Sequence, residues 1–113
     1  MHEFALAENV IEIAKEAATK AGKEKVTSIT LEVGILSGVE KEALLTALEV
    51  IQNEIPDNRT KITIIEIQGV AYCSKCHKKF SVDTLFSLCP FCQGYEKEII
   101  SGKEFNVVSI EAE

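Results

Sequence analysis

Residues 73–92 read CSKCHKKFSVDTLFSLCPFC, two Cys-x-x-Cys pairs (Cys73 with Cys76, Cys89 with Cys92) separated by twelve residues. Two thiolates three positions apart on a tight turn point to one place. Two such knuckles facing each other supply four sulfurs in the tetrahedron that suits zinc. The gap between the pairs is on the short side for paired knuckles, which fits a compact ribbon of short hairpins. Lys79, Phe80, Ser81 and Val82 read as one arm, and Leu85 to Leu88 lead into the second knuckle. Four thiolates leave no ligand position for water, so the expected Zn(II) is structural, holding together a stretch too short to build its own core. His77 follows the second cysteine directly and, with four sulfurs available, reads as an exposed knuckle residue. A redox use of the cysteines needs a low-pKa thiol at a helix start, and neither pair has a helical pattern after it.

Working outward, the chain has 113 residues, 46% of them hydrophobic, with 12 basic against 18 acidic side chains and a formal charge of −6. That is the balance of one ordinary folded domain with a small appended module. It excludes both a large multidomain enzyme and a disordered tail. The charge is uneven. Residues 70–103 hold five Lys against three acids, +2, while the remainder holds seven basic against fifteen acidic residues, −8. The acidity therefore belongs to a cysteine-free unit. Phosphate backbones are repelled by such a chain, and with no Trp there is little aromatic surface for stacking bases, so no nucleic acid is expected. A zinc-ribbon nucleic-acid-binding or transcription-associated protein is nonetheless the alternative that the knuckle spacing raises. Glu3, Glu8, Glu12 and Glu16 stand where a secretory signal needs positive charge, and no apolar run approaches a membrane span. A cytoplasmic location and no membrane partner are expected. In that reducing compartment four cysteines are better read as metal ligands than as disulfides.

Between Phe4 and Ala21 the apolar residues recur at 4, 7, 11, 14, 18 and at 6, 10, 13, 17, 21, opposite Glu8, Glu12, Glu16 and Lys20, which predicts an amphipathic helix stopped by Gly22. From Val26 to Val33 the period drops to two, predicting a strand closed by Gly34. Ser37-Gly38-Val39-Glu40 has the form of a capping box. A second helix is expected after it, with Leu44, Leu45, Leu48, Ile51 and Ile55 on its apolar face and Pro56-Asp57-Asn58 at its end. Residues 60–67 read as a β-branched strand whose inward face is left open by the adjacent Ile64 and Ile65, and Glu104 to Glu111 as a last strand. Two strands alone make a marginal sheet, so the tail is expected to return and complete the first one. The expected fold is α+β: two helices packed on a small mixed three-stranded sheet, with an inserted zinc-ribbon unit of short β-hairpins. The first unit spans 1–69 plus 103–113, and the ribbon spans 70–102.

His2 is one of two histidines in the chain. A histidine at position two has the Met1 α-amine and its own backbone nitrogen beside the imidazole, a set that can chelate Ni(II) or Cu(II) in fused rings, and Glu3 can add a donor. A bulky second residue leaves Met1, and hence its amine, in place. A solvated, frayed terminus is the bland alternative.

Met1-His2-Glu3 opening a helix, Val33-Gly34-Ile35-Leu36-Ser37-Gly38-Val39-Glu40, the four-cysteine knuckles, and the closing Gly102-Lys103-Glu104-Phe105 with Ser109-Ile110-Glu111 together resemble the HypA/HybF family of hydrogenase nickel-incorporation proteins. The likeness runs over essentially the whole chain in the right order. It implies a metallochaperone rather than an enzyme, delivering Ni(II) to the large subunit of [NiFe]-hydrogenase with a HypB-type nickel GTPase, and in some bacteria serving urease maturation proteins. Carried over by position, it implies His2 as the essential nickel ligand with Glu3 beside it, and Cys73, Cys76, Cys89 and Cys92 as zinc ligands. In some relatives an acidic residue at the position of Glu40 is implicated in nickel binding, and here both that role and the capping box stand open. Some relatives carry a histidine soon after each knuckle, whereas here only His77 qualifies, since Gln93 and Gly94 follow the second pair. A monomer or weak homodimer is expected.

Overall fold

The computed structural model describes residues 3–53 and 60–113. Met1, His2 and the expected end of the second helix at Ile55 to Asn58 lie outside the described residues. The elements run α1 (Glu3–Lys20), β1 (Val26–Gly34), α2 (Lys41–Asn53), β2 (Lys61–Ile67), β3 (Gly69–Cys73), β4 (Lys79–Val82), β5 (Lys97–Ser101) and β6 (Phe105–Ala112). They build two three-stranded sheets, ordered β2-β1-β6 and β4-β3-β5.

The first sheet is mixed, with β1 at its centre, parallel to β2 and antiparallel to β6. A parallel pair needs a long crossover, which α2 supplies. The tail returns as β6 and completes the sheet, as expected for a β1–β2 pair too small to stand alone. Both helices cover one sheet face. Ala7, Val10, Ile11 and Ala14 of α1, Leu44, Ala47 and Leu48 of α2, and Ile29, Leu31 and Val33 of β1 form the core. Burying each of the larger aliphatic side chains contributes about 1.5–3 kcal/mol. Small alanines in the buried stripe of α1 reflect its packing role, whereas Phe4 and Ile13, inside the apolar periodicity, remain about half exposed.

The ambiguity at Ile64 and Ile65 resolves with Ile62 and Ile64 packed against the core and Ile65 on the outer face. In β6 the consecutive Val107 and Val108 have a similar cause. The register with β1 slips between Thr30 and Leu31, so that Thr30 pairs with Ser109 but Leu31 with Val107. This bulge leaves Val108 outward and lets Val107 and Ile110, of opposite parity, both reach the core.

The end of α1 has the geometry its sequence predicts. Gly22 adopts a φ of 73°, the Lys23 amide donates to the Ala18 carbonyl at 2.8 Å, and the Gly22 amide donates to Thr19 at 3.1 Å. These are the paired bonds of a Schellman stop. The capping box is not formed as the sequence implies. Ser37 Oγ accepts from the Val39 amide at 3.2 Å in a local turn, and α2 begins only at Lys41. The first helical bond runs from the Leu44 amide to the Glu40 carbonyl at 3.0 Å, making Glu40 the N-cap. Gly38, at φ 82°, turns the chain before the helix axis is reached, which delays the helix start beyond the Ser37 frame.

The two sheets meet where backbone touches backbone. The Leu36 amide donates to the Gly102 carbonyl at 2.6 Å and the Gly34 amide to the Glu104 carbonyl at 2.7 Å. A Cβ on Gly34 would land on the Gly102 carbonyl group, and one on Gly102, whose φ is 113°, would press on the Gly69 Cα and the Leu36 side chain. Leu36, four residues before α2's N-cap in the chain's first half, packs its side chain into the second cluster with Ala71, Cys73, Phe80, Val82 and Cys89. Gly34→Ala is therefore expected to lower stability by about 2–3 kcal/mol, because a rigid backbone group must move. Urea unfolding followed by circular dichroism checks this, and an unchanged midpoint contradicts it.

Candidate metal centre

Each knuckle is a tight turn with the same wiring. The His77 amide donates to the Cys73 carbonyl at 3.0 Å and the Gln93 amide to the Cys89 carbonyl at 2.8 Å. The Cys73 amide donates to Lys78 at 2.9 Å and the Cys89 amide to Gly94 at 2.9 Å, closing each loop one residue later. The residue after each second cysteine is left-handed, His77 at φ 59° and Gln93 at φ 63°. Side chains rarely adopt this conformation, and each such residue costs about 1–2 kcal/mol in the left-handed helical region. No helix follows either pair, so the geometry of a helix-mounted redox cysteine is lacking here.

The two knuckles converge. Cys73 Sγ lies 3.5 Å from Cys92 Sγ, and Cys76 Sγ 3.5 Å from Cys89 Sγ. All four sulfurs fall within 4.8 Å of one another. These separations exceed an S–S bond and bracket the edge of roughly 3.8 Å in a tetrahedron whose metal–sulfur distance is about 2.3 Å. The four residues thus fit a metal ion of zinc's size and softness. Cys73 and Cys89 are buried and Cys92 is exposed, so the cluster has a closed side against β3 and an open side at the second knuckle.

The backbone biases the thiols differently. The Cys76 amide hydrogen-bonds the Cys73 sulfur and, against the opposing effect of burial, lowers its pKa to about 6. Burial, reinforced by the Cys89 and Cys73 sulfurs, pushes Cys76 up to about 12. At Cys92 the Gly94 amide favours the thiolate, but hydrogen bonding with Cys73 and burial together raise the pKa. Cys73 is thus ready as an anion at neutral pH, while Cys76 keeps its proton until a metal displaces it.

His77 does not join the sulfur cluster; its Nδ1 lies 3.0 Å from the Tyr72 hydroxyl. Tyr72 carries no sequence signal as its partner beyond lying five residues before it. Glu3 and Glu40, 37 residues apart, do come together: the Glu40 amide donates to Glu3 Oε2 at 3.2 Å. The carboxylate at the start of α1 therefore caps the start of α2. No periodicity in the sequence encodes that pairing. His2 and the Met1 α-amine lie outside the described residues.

This chain joins two helices on a mixed three-stranded sheet to a small antiparallel sheet whose four-cysteine cluster fits a metal ion. A family model described as "Hydrogenase/urease nickel incorporation, metallochaperone, hypA" matches residues 1–112. The Hydrogenase maturation factor HypA of Albidiferax ferrireducens is 34% identical over 113 residues, all of both chains, and that of Francisella philomiragia 38% identical over 110 residues, 97% of each. The solution structure of the Ni metallochaperone HypA from Helicobacter pylori shares the fold, with a TM-score of 0.66 at 22% identity over 99% of this chain and 97% of that one. The chain belongs to the HypA family of nickel-incorporation metallochaperones.

Metal uptake by the apoprotein is expected to release protons at pH 7, since Cys76, near 12, must surrender its own. Affinity should accordingly fall as the pH is lowered. Chelator competition across pH 6–8 checks this, and a pH-independent affinity contradicts it. Gln93→Gly, which relieves the left-handed residue at φ 63°, is expected to stabilise the metal-loaded ribbon by about 0.5–1 kcal/mol. A lowered melting temperature would count against that strain.

Proposed function

We propose that this protein is a nickel carrier that binds Ni(II) near its N-terminus and passes it to the large subunit of a [NiFe]-hydrogenase, with a HypB-type nickel GTPase. His2 supplies the essential imidazole, Glu3 lies beside it, and the Met1 α-amine and the Glu40 carboxylate are further donors. The protein is not an enzyme, it works in the cytoplasm as a monomer or weak homodimer, and urease maturation proteins are further partners. Cys73, Cys76, Cys89 and Cys92 hold a structural Zn(II). Residues 1–69 with 103–113 act as the nickel-binding unit and 70–102 as the zinc ribbon.

Beside the family membership, the observation that carries this reading is the hydrogen bond of the Glu40 amide to Glu3 Oε2, 3.2 Å long. It fixes the Glu3 carboxylate against the backbone of Glu40, so a carboxylate oxygen is held at the residue next in sequence to His2. Imidazole and carboxylate donors suit Ni(II) and exchange more readily than a closed thiolate cage, which a carrier requires. Acid should release the cargo, because protons compete for the imidazole. Zinc bound by four thiolates carries a formal charge of −2. It brings the +2 of residues 70–103 to formal neutrality and leaves the −8 of the remainder to meet cationic partner surfaces. Among the described residues no helix is long and apolar enough to cross a membrane.

Nickel titration of the zinc-loaded protein by calorimetry tests the assignment. Native protein is expected to bind Ni(II), and His2→Ala to lose at least tenfold in affinity. A version extended by one residue before Met1 should weaken too, because the α-amine is then moved. Unchanged binding by His2→Ala overturns the assignment. Separately, Cys73→Ser should leave zinc substoichiometric and the ribbon unfolded, and a fully loaded, ordered variant would overturn the structural role of the zinc.

A further inference from the structure

The buried stripe of α1 begins with a carboxylate. Ala7, Val10 and Ala14 are fully buried, and one turn back along the same face of the helix stands Glu3, itself half-buried. An apolar side chain there would extend the core, whereas a carboxylate has to find a donor. It finds one at the start of the other helix, in the Glu40 amide at 3.2 Å.

The segment that carries Glu40 is tied down along its length. The Ile35 amide donates to the Ile67 carbonyl at 3.0 Å, that of Leu36 to Gly102 at 2.6 Å and that of Ser37 to Gly34 at 3.0 Å, while the Val39 amide donates to Ser37 Oγ at 3.2 Å. None of these bonds reaches α1. Beyond Glu40 the chain is fixed again, because the Leu44 amide donates to the Glu40 carbonyl at 3.0 Å. The bond to Glu3 is the one in this set that refers the Glu40 backbone to the start of α1, and with it the direction in which the Glu40 side chain leaves the chain.

The two carboxylates are therefore in different situations. That of Glu3 is half-buried and bonded, while that of Glu40 is exposed and, among the described residues, accepts no hydrogen bond. An oxygen already accepting an amide proton has one lone pair fewer to offer a metal ion. A donor held in place also loses less freedom when the ion arrives.

We propose that Glu3 is a positioning residue for nickel: its carboxylate holds the Glu40 backbone at the start of α1, so that the Glu40 carboxylate reaches the same ion as His2, and Glu3 itself stays off the metal. This assignment rests on the nickel site proposed above and divides the work of its two acids.

A double-mutant cycle in nickel affinity, measured by calorimetry on the zinc-loaded full chain, tests it. Glu3→Ala and Glu40→Ala are each expected to weaken Ni(II) binding about tenfold, and the double variant no more than either alone, because Glu3 acts through Glu40. Glu3→Gln keeps an oxygen that can accept the same bond and should lose no more than about threefold, the effect of a missing charge. The bond itself is read in nickel-free protein by hydrogen exchange: the Glu40 amide should exchange about tenfold faster in Glu3→Ala and slow again in Glu3→Gln. A general loss of stability would leave the Glu40→Ala protein as sensitive to Glu3→Ala as the native one, whereas positioning removes that sensitivity. Losses that multiply in the double variant overturn the proposal. So does Glu3→Gln binding as poorly as Glu3→Ala, which would put the Glu3 carboxylate on the metal, or nickel affinity untouched by either single substitution. All of these leave His2→Ala weak; unchanged binding by His2→Ala is instead the failure of the nickel site as a whole, and this assignment falls with it.

Discussion

Three glycines set how the molecule is put together. β1 ends at Gly34, the chain passes from the first sheet into the second at Gly69 and comes back at Gly102, and at these points it runs closer than any side chain allows. The hydrogen bonds from Leu36 to Gly102 and from Gly34 to Glu104 then tie the end of β1 and the loop after it to the returning segment. With backbone polar groups satisfied across the junction, the second sheet is joined to the first by paired backbone as well as by covalent connection. Leu36 adds an apolar contact, carrying the first half of the chain into the cluster around Cys73 and Cys89. The same loop ends at Glu40, whose amide the Glu3 carboxylate holds.

The proposed function divides the work between two kinds of donor set. Four sulfurs within 4.8 Å, drawn from two stiff turns, would hold a structural zinc. The proposed nickel donors, imidazole and carboxylate, would make a site that can open. A carrier of a transition metal needs both properties in one chain, since soft sulfur ligands would otherwise trap the cargo. The backbone reinforces the division by preparing Cys73 as a thiolate near pH 6, so that one sulfur is already an anion at neutral pH when a metal arrives.

Much of this was legible in the residues, and the exceptions share a cause. The helix over residues 3–20 and the strand over 26–34 follow from periods of 3.6 and 2, which are local. The knuckle spacing likewise announced the sulfur cluster. What could not be read was settled by distant partners. Ile64 points inward and Ile65 outward because β2 pairs with β1 in one particular register. Val108 is turned out by a bulge against Thr30 and Leu31. Ser37 looks like a cap, yet the turn at Gly38 carries the helix start on to Glu40, whose amide proton Glu3 accepts from another helix. The central position of β3 between β4 and β5 was equally hidden, since both of its neighbours are four or five residues long. The rings of Phe86 and Phe91 count as hydrophobic in any composition, and only the fold reveals them as surface.

The central claim is that this HypA-family chain separates its metals by ligand chemistry. X-ray absorption at both edges of protein loaded with one zinc and one nickel tests it most directly. The zinc edge should report four sulfurs at about 2.3 Å and no lighter donors, and the nickel edge nitrogen and oxygen donors without sulfur. A sulfur shell around nickel, or nitrogen and oxygen donors around zinc, would contradict it.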